Sequence, residues 1–319
     1  MESMSKEIER RSFLQLGLAA GAAALFARNA GAQTAMSAAK PANAPANAPA
    51  APIKTTKLYD NLWLLQGTGG NMALQSGVDG NLLIDSSFAN AVPAILQTVA
   101  ALGQGAPFAL INTHWHPDHT GGNEGLHAAG FTIFAHQKTR ERLSVPIEMK
   151  LFHRTTTPLP ASALPTVTFE HSLRLWRNGD ELDLAHFEPA HTDTDISIHF
   201  RQANVLHMGD IWFNGMYPFI DEATGGSIGG MIAATDKGLA VADRSTKIIP
   251  GHGPLGNKDD LARYGAMLVQ VRARVAKLKA AGLSEQDAVA QKPTADLDAV
   301  WGKGMMNGDQ IVGIAYRTL

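Results

Sequence analysis

The chain has no cysteine. No disulfide can brace it in an oxidising compartment, and no thiolate can act as nucleophile or metal ligand. An excess of either charge is also missing: 27 Lys and Arg against 29 Asp and Glu give a net charge of −2. Nothing in that balance suggests a polyanion-binding surface, so no nucleic-acid partner is expected. The basic run Arg272 to Lys279 reads as the solvated face of a helix. The apolar stretch over 16–27 is only twelve residues, rich in Ala and Gly. It is too short for a membrane span, and none is expected in the mature chain. No solenoid-type repeat is visible.

What is present begins with a targeting segment. Arg10-Arg11-Ser12-Phe13-Leu14, the short apolar stretch and Ala30-Gly31-Ala32 together resemble a twin-arginine export signal with its cleavage site. Residues 1–32 are therefore expected to be removed after export through the twin-arginine machinery, which places the mature protein in the periplasm. Residues 33–52 read as a disordered linker rich in Ala and Pro, whose run Lys40 to Pro49 offers no large apolar side chains to bury. A single catalytic domain is expected over 53–319.

Within that domain, period-two and short apolar runs predict strands over 62–65, 71–75, 80–85, 108–111 and 131–135. Helical spacing predicts helices over 89–102, 123–129 and 137–143. Further strands are expected over 166–169, 173–176, 181–184, 196–200 and 205–208. The C-terminal third returns to helix. A long amphipathic helix over 257–281 carries Leu261, Tyr264, Leu268, Val271, Val275 and Leu278 on one stripe. Asn257 or Asp259 is its expected N-cap, and Gly282 its stop. Strands with helices followed by strands with helices predict an α/β fold of two sheets face to face, a four-layer αββα sandwich.

The densest chemistry is Thr113-His114-Trp115-His116-Pro117-Asp118-His119. Three imidazoles and a carboxylate fall just after an apolar strand, a density that a core does not need. Alternate residues of an extended loop face the same way, so His114 and His116 can share one metal. Asp118 and His119 follow the turn and can reach a second. Neutral imidazole with carboxylate suits zinc, with iron or manganese the weaker fits. Three later segments each put a possible ligand near a strand end: His191 in Pro189-Ala190-His191-Thr192, Asp210 in Leu206-His207-Met208-Gly209-Asp210, and His252 in Pro250-Gly251-His252-Gly253. Glycines there let the backbone turn sharply beside a crowded site. The remaining histidines, including His199 and His207, read as surface or core residues.

These motifs, in this order over about 58–256, resemble those of the metallo-β-lactamase superfamily. One departure is Ala190, where the family usually has Gly before the third His. The resemblance implies one metal site of His114, His116 and His191, and another of Asp118, His119 and His252. Asp210 would bridge the two. Asp85 would be a buried structural acceptor. Two zinc ions per chain would then hold a hydroxide that attacks the substrate, with Asp118 and Asp210 as the catalytic carboxylates.

The expected function is a zinc-dependent hydrolase acting in the periplasm on an ester, lactone, lactam or related bond of a small molecule. The alternative is an iron-dependent oxidoreductase on the same fold, similar to the sulfur dioxygenases. Trp212, Tyr217 and Phe219, close to Gly225-Gly226 and Gly229-Gly230, are candidate substrate contacts on a hinged aromatic wall. Asp85 and Asp193 are candidate acceptors for the outer nitrogens of the metal-binding imidazoles. The sequence does not fix the oligomeric state.

Overall fold

A computed structural model describes residues 51–319. The expected export signal and all but the end of the linker lie outside the described residues. The first half supplies strands β1 (Lys54–Tyr59), β2 (Leu62–Gln66), β3 (Met72–Gly77), β4 (Gly80–Ile84), β5 (Pro107–Ile111) and β6 (Thr132–His136). Among them run helices α1 (Val92–Leu102), α2 (Pro117–Thr120) and α3 (Asn123–Ala128), and α4 (Gln137–Leu143) follows β6. A small hairpin, β7 (Glu148–Met149) and β8 (Arg154–Thr155), precedes β9 (Val167–Phe169). The second half supplies β10 (Ser172–Arg177), β11 (Asp180–His186), β12 (Ile196–Phe200), β13 (Val205–His207), α5 (Ile228–Val241) and β14 (Lys247–Ile249). Helices α6 (Lys258–Ala280), α7 (Glu285–Ala290), α8 (Asp298–Trp301) and α9 (Gly308–Arg317) close the chain.

Two sheets result, ordered β1-β2-β3-β4-β5-β6-β9 and β10-β11-β12-β13-β14. The first is antiparallel from β1 to β4 and parallel from β4 to β9. Its central strand β4 is buried along its whole length, which is why it reads as a near-continuous apolar run. The side-chain period of two then builds the layers. Leu82 and Ile84 point between the sheets, where they meet Leu184, Ile198, Phe200 and Ile249. Their neighbour Leu83 points outward to Ile95 and Val99 of α1 and Leu126 of α3. In the second sheet Val205 and Ile249 face inward, while Leu206 and Ile248 pack under Met231 of α5, Leu268 of α6 and Ile311 of α9. The order is helix, sheet, sheet, helix. No helix among the described residues is long and apolar enough to cross a membrane.

The long helix starts where expected. Asn257 caps α6, and a capping box with Asp260 satisfies its first donors. Gly282 follows its end at φ 82°, a left-handed value that a side chain would resist. The segment over 225–241 differs from expectation. The four glycines at 225, 226, 229 and 230 suggest a hinge, yet Ser227 caps a helix there through Gly230 N–H. Ile228, Met231 and Ala234 bury one face of that helix. Gly226 and Gly230 serve close packing instead: a Cβ on either would strike the backbone around His191 and Pro189.

Candidate metal centre

Every candidate ligand lies just past a strand end on one rim of the sandwich. Strand β5 stops at Ile111, His114 follows within a bend, and His116 is extended just before Pro117 opens α2. Pro at that position has no missing hydrogen bond to lose. His191 sits in the β11–β12 turn, Asp210 after β13, and His252 after β14. Strands of both sheets thus aim at one place.

Side-chain atoms of His114, His116, His191 and Asp210 lie within 4.8 Å of one another, and so do those of Asp118, His119 and His252. Asp210 stands between the two groups. Its Oδ2 is 3.4 Å from His191 Nε2 and 3.4 Å from His252 Nε2, and its Oδ1 is 3.2 Å from His119 Nε2. Asp118 Oδ2 is 3.1 Å from His252 Nε2 and 3.5 Å from His119 Nε2. Gly251 makes room for Asp210, because a Cβ there would overlap its Oδ1. Gly70 does the same for His119, whose ring would overlap such a Cβ.

The outward ring nitrogens decide what faces inward. His119 Nδ1 donates to Asp85 Oδ2 at 2.7 Å, and His191 Nδ1 donates to the Phe219 carbonyl at 2.7 Å. Thr113 Oγ1 spends its proton on Asp85 Oδ2 at 2.7 Å, so His114 Nδ1 must donate to that oxygen at 3.0 Å. His116 is reversed: its Nε2 faces Asp221 Oδ2 at 3.2 Å, and its Nδ1 points inward. Each neutral imidazole has one N–H. The inward nitrogens of all four rings therefore carry lone pairs.

Those lone pairs crowd together. His116 Nδ1 is 2.8 Å from His191 Nε2 and 3.2 Å from His114 Nε2. His119 Nε2 and Asp210 Oδ1 are buried with no hydrogen-bond partner. Acceptors facing acceptors, away from water, call for a cation between them. The ionisation directions divide the centre: despite burial, His119 is pushed well above the usual imidazole range by Asp210, Asp118 and Asp85, so without a cation the carboxylates draw a proton to it. Burial works to raise the Asp210 carboxyl, but His252, His119 and His114 around it hold it well below the usual carboxylate range. Asp118 is likewise held low by His119 and His252 against the effect of burial. Burial lowers His191 to about 4 and holds His114 well below the usual imidazole range, in keeping with neutral rings. His252, despite burial, is pushed up to about 10 by Asp210 and Asp118, so these carboxylates hold a positive charge near them. The donor set of imidazole and carboxylate suits divalent zinc.

Access is one-sided. His114, His119, His191 and Asp210 are at most 4% exposed, whereas Asp118 and His252 are 21% and 19% exposed. Phe219 lies 5.7 Å from both the His116 and His191 rings. Phe213 stacks on His252 at 5.3 Å. Of the three expected substrate contacts, only Phe219 borders the centre. Trp212 is fully buried in the helix-side core. Tyr217 is buried too, and its hydroxyl donates to Asp298 at 2.8 Å. Both fill the core because the segment after Asp210 must anchor under the C-terminal helices. Asp193 does not serve an imidazole through its carboxylate; it is clamped by Arg142 at 3.1 and 2.7 Å. Asp221 and Thr113 carry no ligand signal in the sequence: Thr113 is not a ligand-type residue, and Asp221 lies in no histidine-containing motif.

The profile of the metallo-beta-lactamase superfamily matches residues 65–271. No curated protein matches the chain. Among solved structures, the fold resembles a metallo-beta-lactamase from Pontibacter korlensis, at a TM-score of 0.55 and 18% identity, covering 68% of this chain and 98% of that one. It resembles DIM-1 metallo-beta-lactamase at a TM-score of 0.55 and 14% identity, covering 69% of this chain and 98% of that one. It also resembles the stereoselective inverting sec-alkylsulfatase Pisa1 from Pseudomonas sp., at a TM-score of 0.62 and 19% identity. That match covers 83% of this chain and 50% of the sulfatase, about half its length. The solved structures show the shared fold, and the profile spans well over half of the chain: it belongs to the metallo-beta-lactamase superfamily.

Proposed function

We propose that the chain is a dinuclear zinc hydrolase of the periplasm, acting on an ester, lactone, lactam or related bond of a small molecule. The observation that carries this reading is the place of Asp210, with one oxygen toward His119 and the other toward His191 and His252. A carboxylate so placed suits two cations rather than one. His114, His116 and His191 would hold the first, and Asp118, His119 and His252 the second. When bound, such a pair supplies Lewis acidity and an activated water near neutral pH. The chain's own groups do the rest. Asp118, at the open side, is placed to orient the water and take its proton. Phe213 and Phe219 cover the imidazoles and keep bulk water off the buried face. The alkylsulfatase likeness adds sulfate esters to the bonds worth testing. The paired arginines Arg10 and Arg11 support export, and Arg10→Lys with Arg11→Lys should leave the precursor in the cytoplasm.

The test is metal content with a substrate panel: nitrocefin, a homoserine lactone, a thioester, a phosphodiester and a secondary alkyl sulfate. Two zinc ions per chain and turnover of one panel member are expected. Asp210→Ala should drop the metal below two per chain and abolish turnover. One iron per chain with oxygen uptake would overturn the hydrolase reading in favour of an oxidoreductase.

A further inference from the structure

Asp221 lies 11 residues beyond Asp210 and is 2% exposed. It touches both of the other imidazole segments of the first metal group. Its Oδ2 faces His116 Nε2 at 3.2 Å. Its backbone N–H donates to the His191 carbonyl at 2.8 Å. The carboxylate is itself fixed, accepting from Thr224 Oγ1 at 2.8 Å and from Ala223 N–H at 3.1 Å. Its own carbonyl accepts from Gly226 N–H at 2.8 Å, and Gly226 must be glycine because a Cβ would meet the His191 carbonyl. Glu222, the next residue, is gripped by Arg317 of α9 at 2.8 and 2.7 Å.

His116 differs from its three neighbours in which nitrogen it turns inward. The other rings rest their outward N–H on a carbonyl, a hydroxyl or the Asp85 carboxylate. In the first group, only His116 has a carboxylate behind it. A carboxylate accepting that N–H fixes the tautomer and makes the opposite nitrogen a stronger donor to a cation. We propose that Asp221 is the positioning residue of the first metal site: it fixes His116 with Nδ1 inward, strengthens that nitrogen as a ligand, and through its backbone keeps His191 in register with it. The inference rests on the dinuclear reading above.

The test is stepwise titration of the metal-free full domain with Zn(II) against a chelator, and with Co(II) followed by its visible absorption. In Asp221→Asn the side chain keeps its shape and loses its charge. A neutral acceptor still fixes the ring but donates less, so affinity at the first site should fall about 10-fold. Asp221→Ala removes both effects, and the fall should approach 100-fold. In both variants the second site should keep its affinity, and the Co(II) spectrum should lose the component of the first site alone. Glu222→Gln, a surface change one residue away, should alter neither site. An unchanged first-site affinity in Asp221→Ala overturns the inference, as does an equal loss at both sites, which would mark a general folding role. A wild-type chain that binds no metal overturns the dinuclear reading itself, a result distinct from either.

Discussion

Replacing Asp85 by asparagine should disturb both metal sites without touching a ligand. Asp85 is fully buried and accepts three hydrogen bonds, each 2.7 Å: from Thr113 N–H, Thr113 Oγ1 and His119 Nδ1. Its φ of 62° is left-handed, a conformation that asparagine tolerates well, so the backbone cost is small. The backbone N–H of Thr113 can only donate, which fixes the remaining oxygen of the new amide toward it. The amide NH₂ must then face Thr113 Oγ1 and His119 Nδ1. His119 can accept that proton only by moving its own to Nε2, the nitrogen 3.2 Å from Asp210. Thr113, now an acceptor, is free to donate to His114 Nδ1, which moves the proton of that ring inward too. Loss of the charge-assisted bond should cost the metal-free fold about 1.5–3 kcal/mol. For a domain of this size that is a fall of roughly 3–12 °C in Tm. Each metal affinity should drop about 10- to 100-fold. Thermal unfolding of the metal-free protein and a chelator-competition titration measure the two effects separately. A variant that is less stable yet binds two ions as tightly as wild type would refute the tautomer argument.

Gly70→Ala places a methyl within the His119 ring; that ring cannot retreat from Asp85, so about 1–3 kcal/mol of stability and the second metal should be lost, read by urea unfolding and metal analysis. Gln75 lies opposite Leu62 and Leu82 between the sheets, with both amide atoms unpartnered. Gln75→Leu should therefore be neutral or stabilise by about 1–3 kcal/mol, and a lower unfolding midpoint would contradict this. The His136 and His186 rings stack at 3.7 Å, and burial, with His186 alongside, lowers His136 from 6.5 to about 4; burial lowers His186 as well. The unfolded chain then takes up protons first, so stability present above pH 6.5 should drain away as the pH falls toward about 4. Urea midpoints across that window should fall less steeply in His136→Gln than in wild type.

The sheets were legible because strand β4 and the alternating residues of β13 and β14 carry their burial in their own spelling. The six side chains gathered around Asp210 carry a different signal: each follows a strand end, where ligand-type side chains have no packing role. The rest depends on contacts that sequence distance hides. His116 and Asp221 are 105 positions apart, and Asp221 stands in a segment with no histidine around it, beside a glutamate that pairs with Arg317 instead. Trp212 and Tyr217 fit a cleft wall or a core equally well by composition, and only the C-terminal helices decide for the core. The glycines over 225–230 have low helix propensity, but burial of Ile228 and Met231 outweighs it. Hairpin β7–β8 has two-residue strands, too short for any periodic signal.

The centre is best understood as a set of proton assignments made by the fold. Four of the five imidazoles could each present either nitrogen, and nothing in the motifs that carry them chooses between the two. The choice is made by Asp85, Thr113, Asp221 and the Phe219 carbonyl, which come from both halves of the sandwich. Thr113 is the joint, since one hydroxyl bonded to Asp85 fixes His114 while the same carboxylate fixes His119. Lone pairs can converge without a proton between them only while these outer acceptors hold. A loss of metal in any variant of the four should therefore track with ring tautomer rather than with distance from the ligands, which nitrogen-15 shifts of the histidine rings in the metal-free protein report directly.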